Sequence, residues 1–143
     1  MPYRYLEDIA IADAAFEAWG EIPEALFADS ADALLNVMVE DIGSVQPEMI
    51  QAIELSDGSL EMLLLKFLEE LVYLKDAEQM LFRPGQLHVH EHDGSWHLNA
   101  RMAGEKIDAN RHALSADVKA VTLYRFSVKQ TEKGWTANVV LDI

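Results

Sequence analysis

The chain has no cysteine, which removes thiolate catalysis, disulfide stapling and cysteine-ligated zinc together. The fold must therefore rest on its core. Basic residues are scarce as well, with 11 Lys and Arg against 25 Asp and Glu and a formal net charge of −14. The scarcity is uneven: residues 1–82 hold 18 acidic and 3 basic residues, whereas 83–143 hold 7 and 8. Non-specific nucleic-acid binding draws on released phosphate counterions and needs clustered Lys and Arg, which the first part lacks. An anionic membrane surface is disfavoured for the same reason. Long apolar runs are missing too. Glu7, Asp8 and Asp13 interrupt the N-terminal segment where a signal peptide needs an unbroken apolar stretch, and no later run reaches the length of a membrane span. A soluble, cytoplasmic protein is expected.

What is present suits one globular domain over residues 1–143, of which 50% are hydrophobic. Between Ile22 and Val39, Pro23 suits a first helical position, and Leu26, Phe27, Ala31, Leu34, Val37 and Met38 recur at helical spacing. A second helix is expected after Asp57-Gly58-Ser59, a turn plus N-cap, where Leu60, Leu63, Leu64, Phe67, Leu68, Leu71 and Leu74 form one stripe. From Leu81 the period changes to two. Asp93-Gly94 predicts a type I′ hairpin turn that sets His97 opposite His90 and Asn99 opposite His88, so four histidines share one face. A second hairpin is expected around Glu132-Lys133-Gly134, with Thr122, Tyr124, Phe126 and Val128 alternating before it and Trp135, Ala137, Val139 and Leu141 after it. Gly104–Ser115 reads as a polar connection between the hairpins. The expected fold class is α+β, with two helices packed on a largely antiparallel sheet.

The residues that could carry chemistry are few. His88, His90, His92 and His97 could approach one ion, but their spacing alone is weak evidence and a solvent-facing histidine-rich surface is the simpler account. Asp13 interrupts an otherwise apolar or small stretch, IADAAFEAWG, and Asp142 precedes Ile143 at the end of the last strand. A charge in an apolar strand is costly unless paired, hydrogen-bonded or metal-bound. If the two strands are neighbours, two carboxylates and a chain terminus converge, a donor set for Ca²⁺, Mg²⁺ or Mn²⁺ rather than zinc. Lys119, in SADVKAVTLY, could bring an ammonium near that cluster, and His112 is the other polar residue of note. No nucleophile with a flanking base, phosphate-binding loop or dinucleotide fingerprint is present.

Read in order, ADAAFEAWG, PEALFADSADALLNVMVE, LLLKFLEELVYLKDAE, GEKID followed by His112, DVKAVT, and a Trp135 strand ending in LDI resemble the archease family along nearly the whole chain. The resemblance implies an archease-like domain with a metal site built from an early Asp, the penultimate Asp and the terminal residue. These fall on Asp13, Asp142 and Ile143. Alignment on Gly20 without a gap selects Asp13; Asp8 would require five extra residues. The family's functional lysine falls on Lys119. Two positions depart from the pattern: Ala10 stands where the motif has His, and Leu123-Tyr124 where many members carry Tyr-His. The Asp-based site depends on neither. The implied role is a non-catalytic activator of an RtcB-type RNA ligase, whose chemistry joins RNA ends in tRNA splicing or RNA repair using GTP and a divalent metal; a monomer is the default expectation for an accessory factor that docks transiently. RNA would be reached only through the ligase. Rival readings are a stand-alone metal-dependent phosphohydrolase and a chaperone-like ligand-binding module.

Overall fold

The computed structural model describes residues 2–6 and 13–143. In chain order the elements are β1 (Tyr3–Leu6), β2 (Asp13–Gly20), α1 (Pro23–Met38), a 3₁₀ turn (Ile42–Ser44), β3 (Met49–Asp57), α2 (Leu60–Glu78), β4 (Met80–His92), β5 (Ser95–Lys106), β6 (Ala120–Thr131) and β7 (Gly134–Asp142). The strands form two sheets, one ordered β1-β2-β7-β6 and the other β3-β5-β4, and every pairing is antiparallel. This is the α+β arrangement of two helices on antiparallel strands. The strands divide between two sheets, and each helix touches both of them.

Helix boundaries follow local chemistry. Pro23 opens α1 after Ile22, whose side chain makes no cap; proline has no N–H to leave unsatisfied there. Ser59 caps α2 by accepting from the Met62 amide at 3.1 Å. At its other end Gln79 adopts a left-handed conformation, φ 57°, and its amide donates to the Leu74 and Lys75 carbonyls. Phe27 of α1 stacks on Phe67 of α2 with ring centroids 5.7 Å apart, and both rings are fully buried. Burial of each ring contributes about 2 to 3 kcal/mol. The core extends from these rings to Phe16 and Val139 on one sheet and to Leu98 and Met102 on the other.

The β4–β5 hairpin has the expected register, His90 opposite His97 and His88 opposite Asn99. Its turn residues, Asp93 and Gly94, both have positive φ, as a type I′ turn requires. In the second hairpin the β7 residues alternate as expected, but β6 does not. Between the pairs Thr122–Val140 and Ser127–Asn138, five steps along β6 match two along β7, so Leu123, Tyr124 and Arg125 are extra. The excursion reverses the strand's parity. Val121 faces the core before it and Phe126 after it, while Tyr124 is exposed. The expected polar connection also begins later, because Gly104–Lys106 complete β5 opposite Phe82–Met80.

Two side chains of the acidic half bind helices to strands. Glu24, in the first turn of α1, accepts a hydrogen bond from the Val89 amide of β4 at 3.0 Å, and Glu61, in the first turn of α2, accepts one from the Val128 amide of β6 at 3.0 Å. Each carboxylate lies at the positive end of its helix dipole while satisfying a backbone donor of another element.

Candidate functional site

Strand β2 runs antiparallel to β7, and this pairing sets Asp13 directly opposite Asp142. Alternation determines the face. Phe16 and Ala18 of β2, like Ala137, Val139 and Leu141 of β7, are buried in the core. Asp13 and Asp142 therefore share the opposite face, with Cβ atoms about 5 Å apart for directly facing residues. Two like charges so placed repel each other. None of the ion pairs among the described residues involves either one.

The neighbouring strand completes the surroundings. Ala120 of β6 faces Asp142 from the other side, and the Lys119 amide donates to the Asp142 carbonyl at 2.8 Å. This main-chain bond ties the Lys119 backbone to the end of β7. Its side chain is exposed and forms no ion pair among the described residues. One pair further along the same face, Thr122 opposes Val140, and its buried hydroxyl has no hydrogen-bond partner. Ile143 is half-buried and packs against the core, so its main chain continues from Asp142 in a fixed direction. Asp8 and Ala10 lie outside the described residues.

An all-oxygen donor pair with an uncompensated negative charge suits a hard divalent cation. Among the described residues no three His, Asp or Glu side chains converge on one point. By itself the carboxylate pair could supply only part of such an ion's coordination sphere; the rest would have to come from main-chain, solvent or partner oxygens.

The segment that carries Lys119 is anchored at both ends by buried polar groups. At its start Glu105, 8% exposed, accepts from the Gln46 amide at 2.6 Å, from His112 Nε2 at 3.0 Å and from the Arg111 guanidinium. The Asp108 amide donates to His112 Nδ1 at 2.9 Å. With Nδ1 accepting, Nε2 carries the proton, so His112 is the neutral Nε2–H tautomer donating to Glu105. Burial pushes the Glu105 carboxyl up, but the hydrogen bonds from Gln46, His112 and Arg111 outweigh it and hold the pKa below the usual value. At the segment's end Lys75 of α2, 5% exposed, donates to Asp117 Oδ1 and to the Val118 carbonyl, each at 2.6 Å. Burial lowers the Lys75 pKa, and the Asp117 and Asp76 carboxylates more than reverse that. His112 is thus a structural member of this network, distant in role from the carboxylate pair. Sequence reasoning missed Glu105 and Lys75. A polar run such as GEKID does not by itself distinguish a buried network from a solvated loop, although the alternation of Ala100, Met102 and Gly104 pointed to a continuing strand.

The four hairpin histidines lie on the outer face of the other sheet, away from Asp13 and Asp142. Among the described residues no helix is long and apolar enough to cross a membrane.

Residues 3–143 match the Archease protein family (MTH1598/TM1083). Among similar proteins, a protein archease of Methanopyrus kandleri is 33% identical over 143 residues, covering 100% of both chains. One of Methanosarcina mazei is 35% identical over 142 residues, covering 99% of this chain and 95% of the relative. The solution structure of Methanobacterium thermoautotrophicum protein 1598 superposes with a TM-score of 0.85 at 28% identity and covers 99% of each chain. A Thermotoga maritima crystal structure, described as an archease and possible chaperone, shares the fold at 15% identity with a TM-score of 0.57, covering 96% of this chain and 97% of its own. The family match runs from Tyr3 to Ile143 across both helices and all seven strands of this fold, and the chain belongs to the archease family.

Proposed function

We propose that this protein is a non-catalytic activator of an RtcB-type RNA ligase, promoting GTP- and metal-dependent guanylylation of the ligase and its repeated turnover. The observation that carries this reading is the pairing of Asp13 with Asp142 on an outer sheet face, with Lys119 tethered to the same strand end. Asp13, Asp142 and the Ile143 carboxylate hold a divalent cation, Ca²⁺, Mg²⁺ or Mn²⁺, whose charge offsets their mutual repulsion. When bound, the ion supplies positive charge to a nucleotide phosphate in the ligase site. Asp13 and Asp142 orient the ion at the edge of the protein. Lys119 supplies an exposed ammonium that pairs with a phosphate or a carboxylate of the partner. The −14 net charge favours encounter with a basic, RNA-holding ligase and disfavours direct binding of RNA.

Multiple-turnover ligation under limiting cognate ligase, with and without this protein, tests the proposal. Stimulation by the natural chain and its loss in Asp13→Ala and Asp142→Ala are expected. Equal product yield with and without the protein defeats the reading. An extension beyond Ile143 that leaves stimulation intact removes the terminal carboxylate from the ligand set.

A further inference from the structure

The outer face of the β3-β5-β4 sheet carries a second group of potential metal ligands. His88 and His90 are successive residues on that face of β4, and His97 of β5 lies directly across from His90. Ring centroids are 5.0 Å apart for His88 and His90 and 5.3 Å apart for His90 and His97. An ion at about 2.0 Å from one nitrogen of each of two imidazoles, with a tetrahedral angle between them, places the ring centroids about 5 Å apart. The backbone of this hairpin therefore already holds the two rings at chelating separation. In the structure they stack at 24°, so the rings must turn for their nitrogens to face one ion.

His90 adds an independent indication. Its Nδ1 is buried and has no hydrogen-bond partner. A desolvated, unpaired ring nitrogen is uncommon in folded proteins and calls for a water or an ion. His97 and His90 are both half-buried, which limits the conformational freedom a ligand would have to remove. His92 is less available, because its Nε2 lies 3.2 Å from Asp93 Oδ2. His88 borders an open groove of about 540 Å³ that is also lined by Glu54, Asn99 and Arg101, leaving access for solvent or for a further ligand.

We infer that His90 and His97 form an open two-imidazole site for a late first-row divalent metal ion such as Zn²⁺, with His88 able to join and water in the remaining positions. Imidazole donors suit such ions, whereas the all-oxygen pair at Asp13 and Asp142 suits hard cations. No third His, Asp or Glu side chain among the described residues is already aimed at the ion, so the site depends on two ligands and is sensitive to the loss of either.

Calorimetric titration of tag-free full-length protein with ZnCl₂ at pH 7.5 provides the test, using His90→Gln, His97→Gln and Asp13→Asn variants, with imidazole proton resonances recorded in parallel. Wild type and Asp13→Asn are expected to bind Zn²⁺ alike and to shift the His90 and His97 resonances first. Each histidine variant should bind at least about tenfold more weakly, with an unchanged unfolding midpoint showing that the fold survives. Zn²⁺ that binds wild type and both histidine variants equally, that binds none of them, or that is lost only in Asp13→Asn overturns the assignment.

Discussion

Replacing Glu105 tests whether the buried network, rather than chain connectivity, fixes the segment leading to Lys119. One carboxylate oxygen, Oε2, accepts from both the Gln46 amide and His112 Nε2, and Oε1 accepts from Arg111. In Glu105→Gln the retained oxygen can serve Gln46 and His112, but the new amide N–H₂ then faces the Arg111 guanidinium, donor against donor. Two charge-assisted bonds become neutral ones, at a loss of about 1 kcal/mol each. Arg111 is half exposed and still bonds the Ser44 carbonyl, so it swings toward water at little further cost. A net loss of about 2 kcal/mol is expected. Glu105→Ala leaves the Gln46 and His112 donors buried without partners, for about 4 kcal/mol. For a chain of this size the two variants should lower Tm by about 6 and 12 °C. Thermal melts followed by circular dichroism measure the Tm shifts, and urea unfolding measures the free-energy losses. The Glu105 pKa is depressed in the folded protein, so its contribution is present above the unfolded value, about 4.3. It fades as pH falls through the lower folded value. The gap between wild type and Glu105→Gln should therefore be full at pH 7 and close toward pH 3. A loss under about 0.5 kcal/mol at pH 7, or a gap of equal size at both pH values, refutes the argument.

Two other substitutions separate function from stability. Asp142→Asn removes one of two facing like charges and should stabilise the metal-free protein by about 0.5 kcal/mol while abolishing ligase stimulation. Destabilisation in denaturant titrations without metal would contradict the repulsion invoked for the pair. Asp29 of α1 has its carboxyl pushed up to about 6, first by burial and then by the neighbouring Asp32 carboxylate. Because the folded pKa exceeds the unfolded one, stability falls as pH rises from about 4 to about 6, and the penalty is complete above that. A shift of this size corresponds to about 3 kcal/mol for a fully desolvated group, reduced to about 1 by the solvent that still reaches Asp29. Asp29→Asn should be more stable than wild type by that amount at pH 7.5 and equal to it near pH 4; a pH-independent difference in urea midpoints would exclude this account.

Local signals were readable from the sequence, and non-local ones were readable only in part. Asp57-Gly58-Ser59 marks the start of α2 because a turn and a hydroxyl cap are properties of adjacent residues. Asp93-Gly94 fixes the histidine register for the same reason: a two-residue type I′ turn leaves one pairing for every residue that follows. The proximity of Asp13 and Asp142 is different in kind. It depends on β2 and β7 becoming neighbours although they lie at opposite ends of the chain, which no local pattern encodes. Strand β1, with four residues, is too short to show a period. In β3 only Ile53 is fully buried, so its alternation is diluted by exposed Met49 and Ile50. The β6 excursion defeats a period-two reading outright, since three additional residues move Tyr124 from the expected inner row to solvent.

That same excursion bears on how open the border of this sheet is to pairing with another strand. Strand β6 is the last strand of its sheet, and a straight outer strand offers unpaired amides and carbonyls to any extended chain. Leu123, Tyr124 and Arg125 interrupt the straight run in its middle, with Arg125 at φ 55° and its guanidinium 5.2 Å from the Tyr124 ring. Beyond the interruption, Glu61 occupies the Val128 amide. An incoming strand would find no continuous ladder to extend, so two apolar residues can stand exposed on this border without making it a template for polymerisation.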